Sequence, residues 1–63
     1  MKAKIEIEME NAAFAPHPHG ELASILSQLS EAILDRGTFP IVGANWPLRD
    51  VNGNTVGKFE VLS

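Results

Sequence analysis

The sequence predicts an α+β fold in β-α-β-β order, a three-stranded antiparallel sheet (strand order 1-3-2) with one helix packed on one face. Three observations predict it. Residues 2–10 alternate apolar and charged side chains, residues 21–36 repeat apolar side chains at helical spacing, and residues 47–61 contain an Asn-Gly hairpin signal. At 63 residues without cysteine, the chain is expected to form a single small domain, residues 1–63, near the lower size limit for folding without disulfide bonds or bound metals.

The first strand is predicted from strict alternation, because a period of two places one set of side chains on a buried face. Its apolar face comprises Ala3, Ile5, Ile7 and Met9, and its charged face comprises Lys2, Lys4, Glu6, Glu8 and Glu10. Phe14 is expected to turn inward as an anchor. Pro16 and Pro18 then predict an irregular connection that continues to Gly20.

The helix is predicted over residues 21–36, with Gly37 as its left-handed C′ residue. Its apolar stripe comprises Leu22, Ile25, Leu26, Leu29, Ile33 and Leu34. We expect a core that contains Ile5, Ile7, Met9, Phe14, Leu22, Ile25, Leu26, Leu29, Ile33, Phe59 and Val61.

Charge predicts how the strands pair. If the first strand runs antiparallel to residues 55–62, Lys4 faces Glu60 and Glu6 faces Lys58, whereas a parallel register places like charges side by side. The hairpin has two possible registers. A two-residue turn pairs Val51 with Asn54, and a three-residue turn with Gly53 in the left-handed region pairs Asp50 with Asn54. The Asp-x-Asn-Gly order favours the second.

Residues 38–46 are ambiguous because Pro40 and Gly43, with Pro47 just beyond, interrupt any period. They are interpreted as a lid over the core, a short extra strand or an exposed interaction loop. Their apolar residues are Phe39, Ile41, Val42 and Trp46. Trp46 would either complete the core or anchor a partner protein.

No group of residues assembles an active site, so we expect no enzyme activity, no catalytic residues, no cofactor and no metal. His17 and His19 supply only two ligands. Glu6, Glu8 and Glu10 occupy an open sheet face, which lacks the cleft that would shift their pKa values apart. Asp50, Asn52 and Asn54 faintly resemble a calcium loop, but they fit turn chemistry better.

Five basic and eight acidic residues give a net charge of −3, which argues against nucleic acid as the main partner. The charged start of the chain does not fit a signal peptide, and the longest uncharged run is too short to cross a membrane. We therefore expect a cytoplasmic protein.

Three stretches resemble a family of very short, uncharacterised proteins encoded by phages, prophages and plasmids. They are the opening KIEIEMENAAF, the helical ELA-x-IL-x-x-L and the closing LRDVNGNTVGKFEV. Residues 38–46 look like an insertion relative to that pattern. The resemblance implies a strand–helix–hairpin domain of mobile-element origin, acting in the bacterial host's cytoplasm.

The resulting hypothesis is a non-enzymatic protein-interaction module that inhibits or modulates a host protein. The expected partner is a host or phage protein, or a second copy of the chain in a homodimer, with no membrane involvement. The candidate binding residues are Phe39, Ile41, Val42, Trp46, Glu6, Glu8 and Glu10. The alternative is a nucleic-acid-binding accessory protein that uses the open sheet face.

Overall fold

The computed structural model describes residues 1–36, with the backbone alone at Arg36, and residues 42–63. Its elements are β1 (Lys2–Ile7), a 3₁₀ turn (Ala12–Phe14), α1 (Pro18–Arg36), β2 (Asn45–Arg49) and β3 (Thr55–Leu62). The three strands form an antiparallel sheet in the order β1-β3-β2, with β3 at its centre. The predicted fold class and strand order are confirmed.

The register between β1 and β3 is the one that the charges predicted. Lys4 pairs with Glu60 and Glu6 with Lys58, while Ile5 pairs with Phe59 on the opposite face. β1 ends at Ile7 rather than at Glu10. The ladder nevertheless continues one step further, because the Glu8 N–H donates to the carbonyl of Val56 over 2.8 Å.

The hairpin has the three-residue turn. The Asp50 N–H donates to the Asn54 carbonyl and the Gly53 N–H donates to the Asp50 carbonyl, both over 3.0 Å. Gly53 has a φ of 83°, in the left-handed region that glycine adopts without strain. This geometry matches a type I turn followed by a bulge.

The helix begins at Pro18, earlier than the predicted start at Glu21. The predicted irregular connection up to Gly20 is therefore too long. Proline suits the first helical position because its φ is preset and its missing N–H would have no partner inside the helix. Gly37, the predicted C′ residue, lies outside the described residues.

The core differs from the predicted one mainly at β1. Among the residues that the structure describes, seven apolar side chains are buried: Phe14, Ile25, Leu29, Leu48, Val56, Phe59 and Val61. Ile7, Leu22 and Ile33 are half-buried. The predictions for Ile5, Met9 and Leu26 were wrong, because these side chains are 45%, 38% and 39% exposed. The physical reason is that α1 approaches β2 and the 3₁₀ turn, and so leaves a gap beside Ile5 of β1.

A bulge in β3 explains a core residue that the sequence analysis missed. Leu48 pairs with Gly57 and Arg49 with Thr55, so Val56 is an extra residue without a partner on β2. An extra residue breaks the alternation of a strand. Val56 is therefore buried although Lys58, two residues further on, is exposed.

Candidate protein-interaction surface

An apolar groove runs between β1 and α1, on the face of the sheet that carries the helix and at the edge that the helix does not cover. Its lining comprises Ile5, Leu26, Leu29, Ser30, Ile33 and Leu34. Leu34 is 77% exposed, and Ile5 and Leu26 are the two side chains that the sequence placed in the core. Large apolar side chains exposed next to one another are typical of interaction sites in small proteins.

Within residues 1–36 and 42–63, no strand pairs with the outer edge of β1, and this free edge borders the groove. The Val61 N–H donates to the Ala44 carbonyl in the ladder on the other side of β3, and Glu8 donates to Val56. Because hydrogen bonding alternates along an antiparallel strand, the even residues of β1 point their backbone groups toward β3. Ala3, Ile5 and Ile7 consequently point theirs outward. β1 pairs with β3 without a bulge, so this edge is regular.

The free edge of β2 is different, because Pro47 lies in the middle of the strand. Trp46 pairs with Phe59, and the backbone of Pro47 points away from β3 by the same alternation. Proline in such a position supplies no donor to an added strand and is a common protection of sheet edges. Of the two edges, only that of β1 offers a continuous row of donors and acceptors.

Of the four apolar residues predicted to bind a partner in residues 38–46, the structure describes two, Val42 and Trp46. Trp46 lies in β2 rather than in an irregular loop, and it is half-buried, with its ring centroid 5.4 Å from that of Phe59. This packing favours the core interpretation of Trp46. Val42 lies in the turn before β2 and is 52% exposed. Phe39 and Ile41 lie outside the described residues.

The predicted acidic residues belong to a face of mixed charge. Glu6 lies opposite Lys58 in the sheet, and the Lys58 ammonium is 3.5 Å from Glu60. Glu8 follows the last residue of β1, and Glu10 lies in the connection to the 3₁₀ turn. Glu6 thus lies opposite a cation, Lys58. Of the three glutamates, only Glu6 lies within β1.

A buried acid, Asp50, holds the hairpin turn to the rest of the chain. Its carboxylate accepts hydrogen bonds from the N–H groups of Asn52 (2.9 Å) and Asn54 (3.0 Å) and from the Asn11 amide (2.7 Å). Burial alone would raise the pKa of Asp50. The hydrogen bonds from Asn54, Asn11 and Asn52 outweigh that effect and hold the pKa below its ordinary value. Asp50 acts as a turn residue, in agreement with the sequence analysis.

Glu21 makes a contact that the sequence did not indicate. Its carboxylate accepts a hydrogen bond of 2.8 Å from the Val51 N–H, which joins the first turn of α1 to the hairpin turn. The residues around Glu21 contain no pattern that predicts a hydrogen-bond donor 30 residues away.

The histidine rings lie edge to face, with centroids 5.9 Å apart. Within residues 1–36 and 42–63, no three His, Cys, Asp or Glu side chains come together in a way that could hold a metal ion. None of the helices in this part of the chain is long and apolar enough to span a membrane.

Comparison of the chain with models of protein families, with curated proteins and with solved structures finds no match.

Proposed function

We propose that this protein is a non-enzymatic protein-interaction module of a phage or another mobile element, which inhibits or modulates a host protein. The observation that carries the proposal is the apolar groove beside the free edge of β1. Burying apolar surface contributes about 25 cal/mol per Å². The exposed side chains of Ile5, Leu26 and Leu34 therefore supply a driving force for binding another protein.

The mode of binding that fits this surface is addition of a strand to the sheet. A partner strand would exchange backbone hydrogen bonds with Ala3, Ile5 and Ile7, and its apolar side chains would fill the groove. In this mode the backbone supplies affinity and the side-chain contacts supply specificity. The mobile-element origin and the action in the bacterial cytoplasm rest on the resemblance of the strand, helix and hairpin motifs.

No observation favours the alternative, a nucleic-acid-binding protein that uses the open sheet face. Along β1 and the residue that follows it, that face carries Lys2, Lys4, Glu6 and Glu8, so its charges cancel. Binding to phosphates requires clustered cations. The apolar groove lies on the other face and fits a protein partner.

The proposal is tested by photo-crosslinking in bacterial cells, with a photoreactive amino acid placed at Leu34 or, as a control, at Val51. The two positions are matched, because Leu34 is 77% and Val51 is 76% exposed. Leu34 lies in the groove and Val51 in the hairpin turn. We expect a discrete adduct with a host protein from Leu34, distinguished by mass from two crosslinked copies of this chain, and none from Val51.

The same cells expressing a Leu26→Asp variant, which places a charge in the groove, should lose the adduct. The folded state of that variant is checked by circular dichroism of the purified protein. A folded variant that still gives the adduct would contradict the proposal. Equal labelling from Leu34 and Val51, or none from either, would also contradict it.

A further inference from the structure

We infer that the strand that binds the edge of β1 is the β1 of a second copy, paired antiparallel about a two-fold axis at Ile5. This inference rests on the proposed function, since it takes the β1 edge and its groove as the binding surface and names the strand that a host protein would have to displace. Its basis is that β1 is self-complementary in hydrogen bonding, in charge and in apolar contact.

Hydrogen bonding limits the possible registers. Ala3, Ile5 and Ile7 point their backbone groups outward, so an added copy of β1 must place its own odd-numbered residues opposite them. A register centred on Ile5 does this. In that register Ile5 faces Ile5 of the second copy, and Ala3 faces Ile7, as hydrogen-bonded pairs.

Charge selects among the registers that remain. With Ile5 at the centre, Lys4 faces Glu6 of the second copy and Lys2 faces Glu8. These are non-hydrogen-bonded pairs, in which the side chains of an antiparallel ladder come closest. A register centred on Lys4 would place Lys4 opposite itself, and one centred on Glu6 would place Glu6 opposite itself. Both would bring like charges together.

The order of charges along β1 also decides whether its lysines prevent or favour the addition of a second β1. Lysine on an edge strand commonly prevents the addition of another strand. Here the lysines occupy one half of β1 and the glutamates the other half, so two antiparallel copies attract each other. The edge of β2 carries the protective proline, Pro47, whereas β1 carries none.

The same two-fold axis covers the groove. Opposite residues of an antiparallel pair project to the same face of the sheet, so both copies of α1 lie on one side. The two grooves then join along the axis, with Ile5 of each copy between the helices. The exposed parts of Leu26 and Leu34 face this shared space. The interface is isologous, as in most homodimers.

Complementary charge variants test the inference. One variant carries Lys2→Glu and Lys4→Glu, and the other carries Glu6→Lys and Glu8→Lys. The wild type should sediment at equilibrium with twice the mass of one chain, and each variant alone with the mass of one chain. An equal mixture of the two variants should again give twice the mass. Recovery on mixing cannot come from contacts within one chain, where the same substitutions remain.

Circular dichroism shows whether each charge variant folds alone. If either does not, Ile5→Lys replaces them, since Ile5 is 45% exposed and tolerates a charge in a single chain. It places two cations at the axis and should halve the mass. The matched control is Asn45→Lys, an exposed position on the β2 edge, which should leave the dimer intact.

A wild type with the mass of one chain at every concentration would overturn the inference. So would a folded Ile5→Lys variant that remains dimeric, or folded charge variants that stay monomeric when mixed. These outcomes leave the proposed function standing if Leu34 still forms an adduct with a different protein. Absence of any adduct between Leu34 and a different protein would overturn the proposed function.

Discussion

The side-chain amide of Asn11 donates a hydrogen bond of 2.7 Å to the carboxylate of Asp50, across 39 residues of sequence. The other end of the same amide accepts the Ala13 N–H over 3.0 Å and so caps the 3₁₀ turn. One asparagine thus connects the segment after β1 to the hairpin turn and orients the turn that buries Phe14.

Acid sensitivity should follow from this contact. The folded pKa of Asp50 lies below its ordinary value of 3.8, so its contribution to stability is complete above that value and is lost as the pH falls through the folded pKa. We expect the urea midpoint of the wild type to fall below about pH 4. Asp50→Asn should be less stable at neutral pH and less sensitive to acid.

The matched control for the lost negative charge is Asp35→Asn, an exposed aspartate of α1. Urea unfolding curves between about pH 2 and about pH 6 compare the three proteins. An acid limb of the same steepness in Asp50→Asn and in the wild type would contradict the assignment.

Gly57 should tolerate no side chain. A Cβ built there would overlap the Glu6 carbonyl oxygen and lie 2.9 Å from the Ile7 Cα, both in the backbone of β1. We expect Gly57→Ala to cost about 1–3 kcal/mol, the usual range for overpacking. Gly20→Ala is the control, because nothing lies within 4 Å of its Cβ position in α1. That change should stabilise by up to about 1 kcal/mol. Equal effects on the free energy of unfolding would contradict this account.

Two leucines should differ sharply in their contribution to stability. Leu48 is 6% exposed in the core, and Leu34 is 77% exposed in the groove. We expect Leu48→Ala to cost about 2–5 kcal/mol, because it leaves a cavity. Leu34→Ala should change the stability of a single chain by less than about 0.5 kcal/mol. Urea unfolding at low protein concentration measures both changes in stability. If Leu34→Ala costs as much as Leu48→Ala, the placement of α1 that leaves Leu34 exposed is contradicted.

Much of the fold could be predicted from the sequence, because the turn is specified by neighbouring residues and the strand register by opposite charges. Lys4, Glu6, Lys58 and Glu60 specify one antiparallel register, and Asp50 with Gly53 specifies the turn. Neither signal depends on where the helix lies. Both predictions were confirmed.

The sequence did not indicate the groove, for a physical reason. Alternation in β1 shows which face is apolar, but it contains no information on the lateral position of α1 over the sheet. Ile5 and Leu26 were therefore predicted as core residues, although they line the groove. The structure around Trp46 stayed ambiguous because Pro40, Gly43 and Pro47 interrupt any period. An edge strand accepts Pro47, since its missing N–H points outward.

The central claim, that the β1 edge binds a second β1, is tested most directly by amide hydrogen exchange of the wild type. The N–H of Lys4 points toward β3, so it should be protected at every protein concentration. The N–H of Ile5 points outward, and only a strand added to the β1 edge gives it a partner. We predict that exchange at Ile5 slows as the protein concentration rises, while exchange at Lys4 does not change. An Ile5 amide that exchanges as a free amide at every concentration would contradict the account.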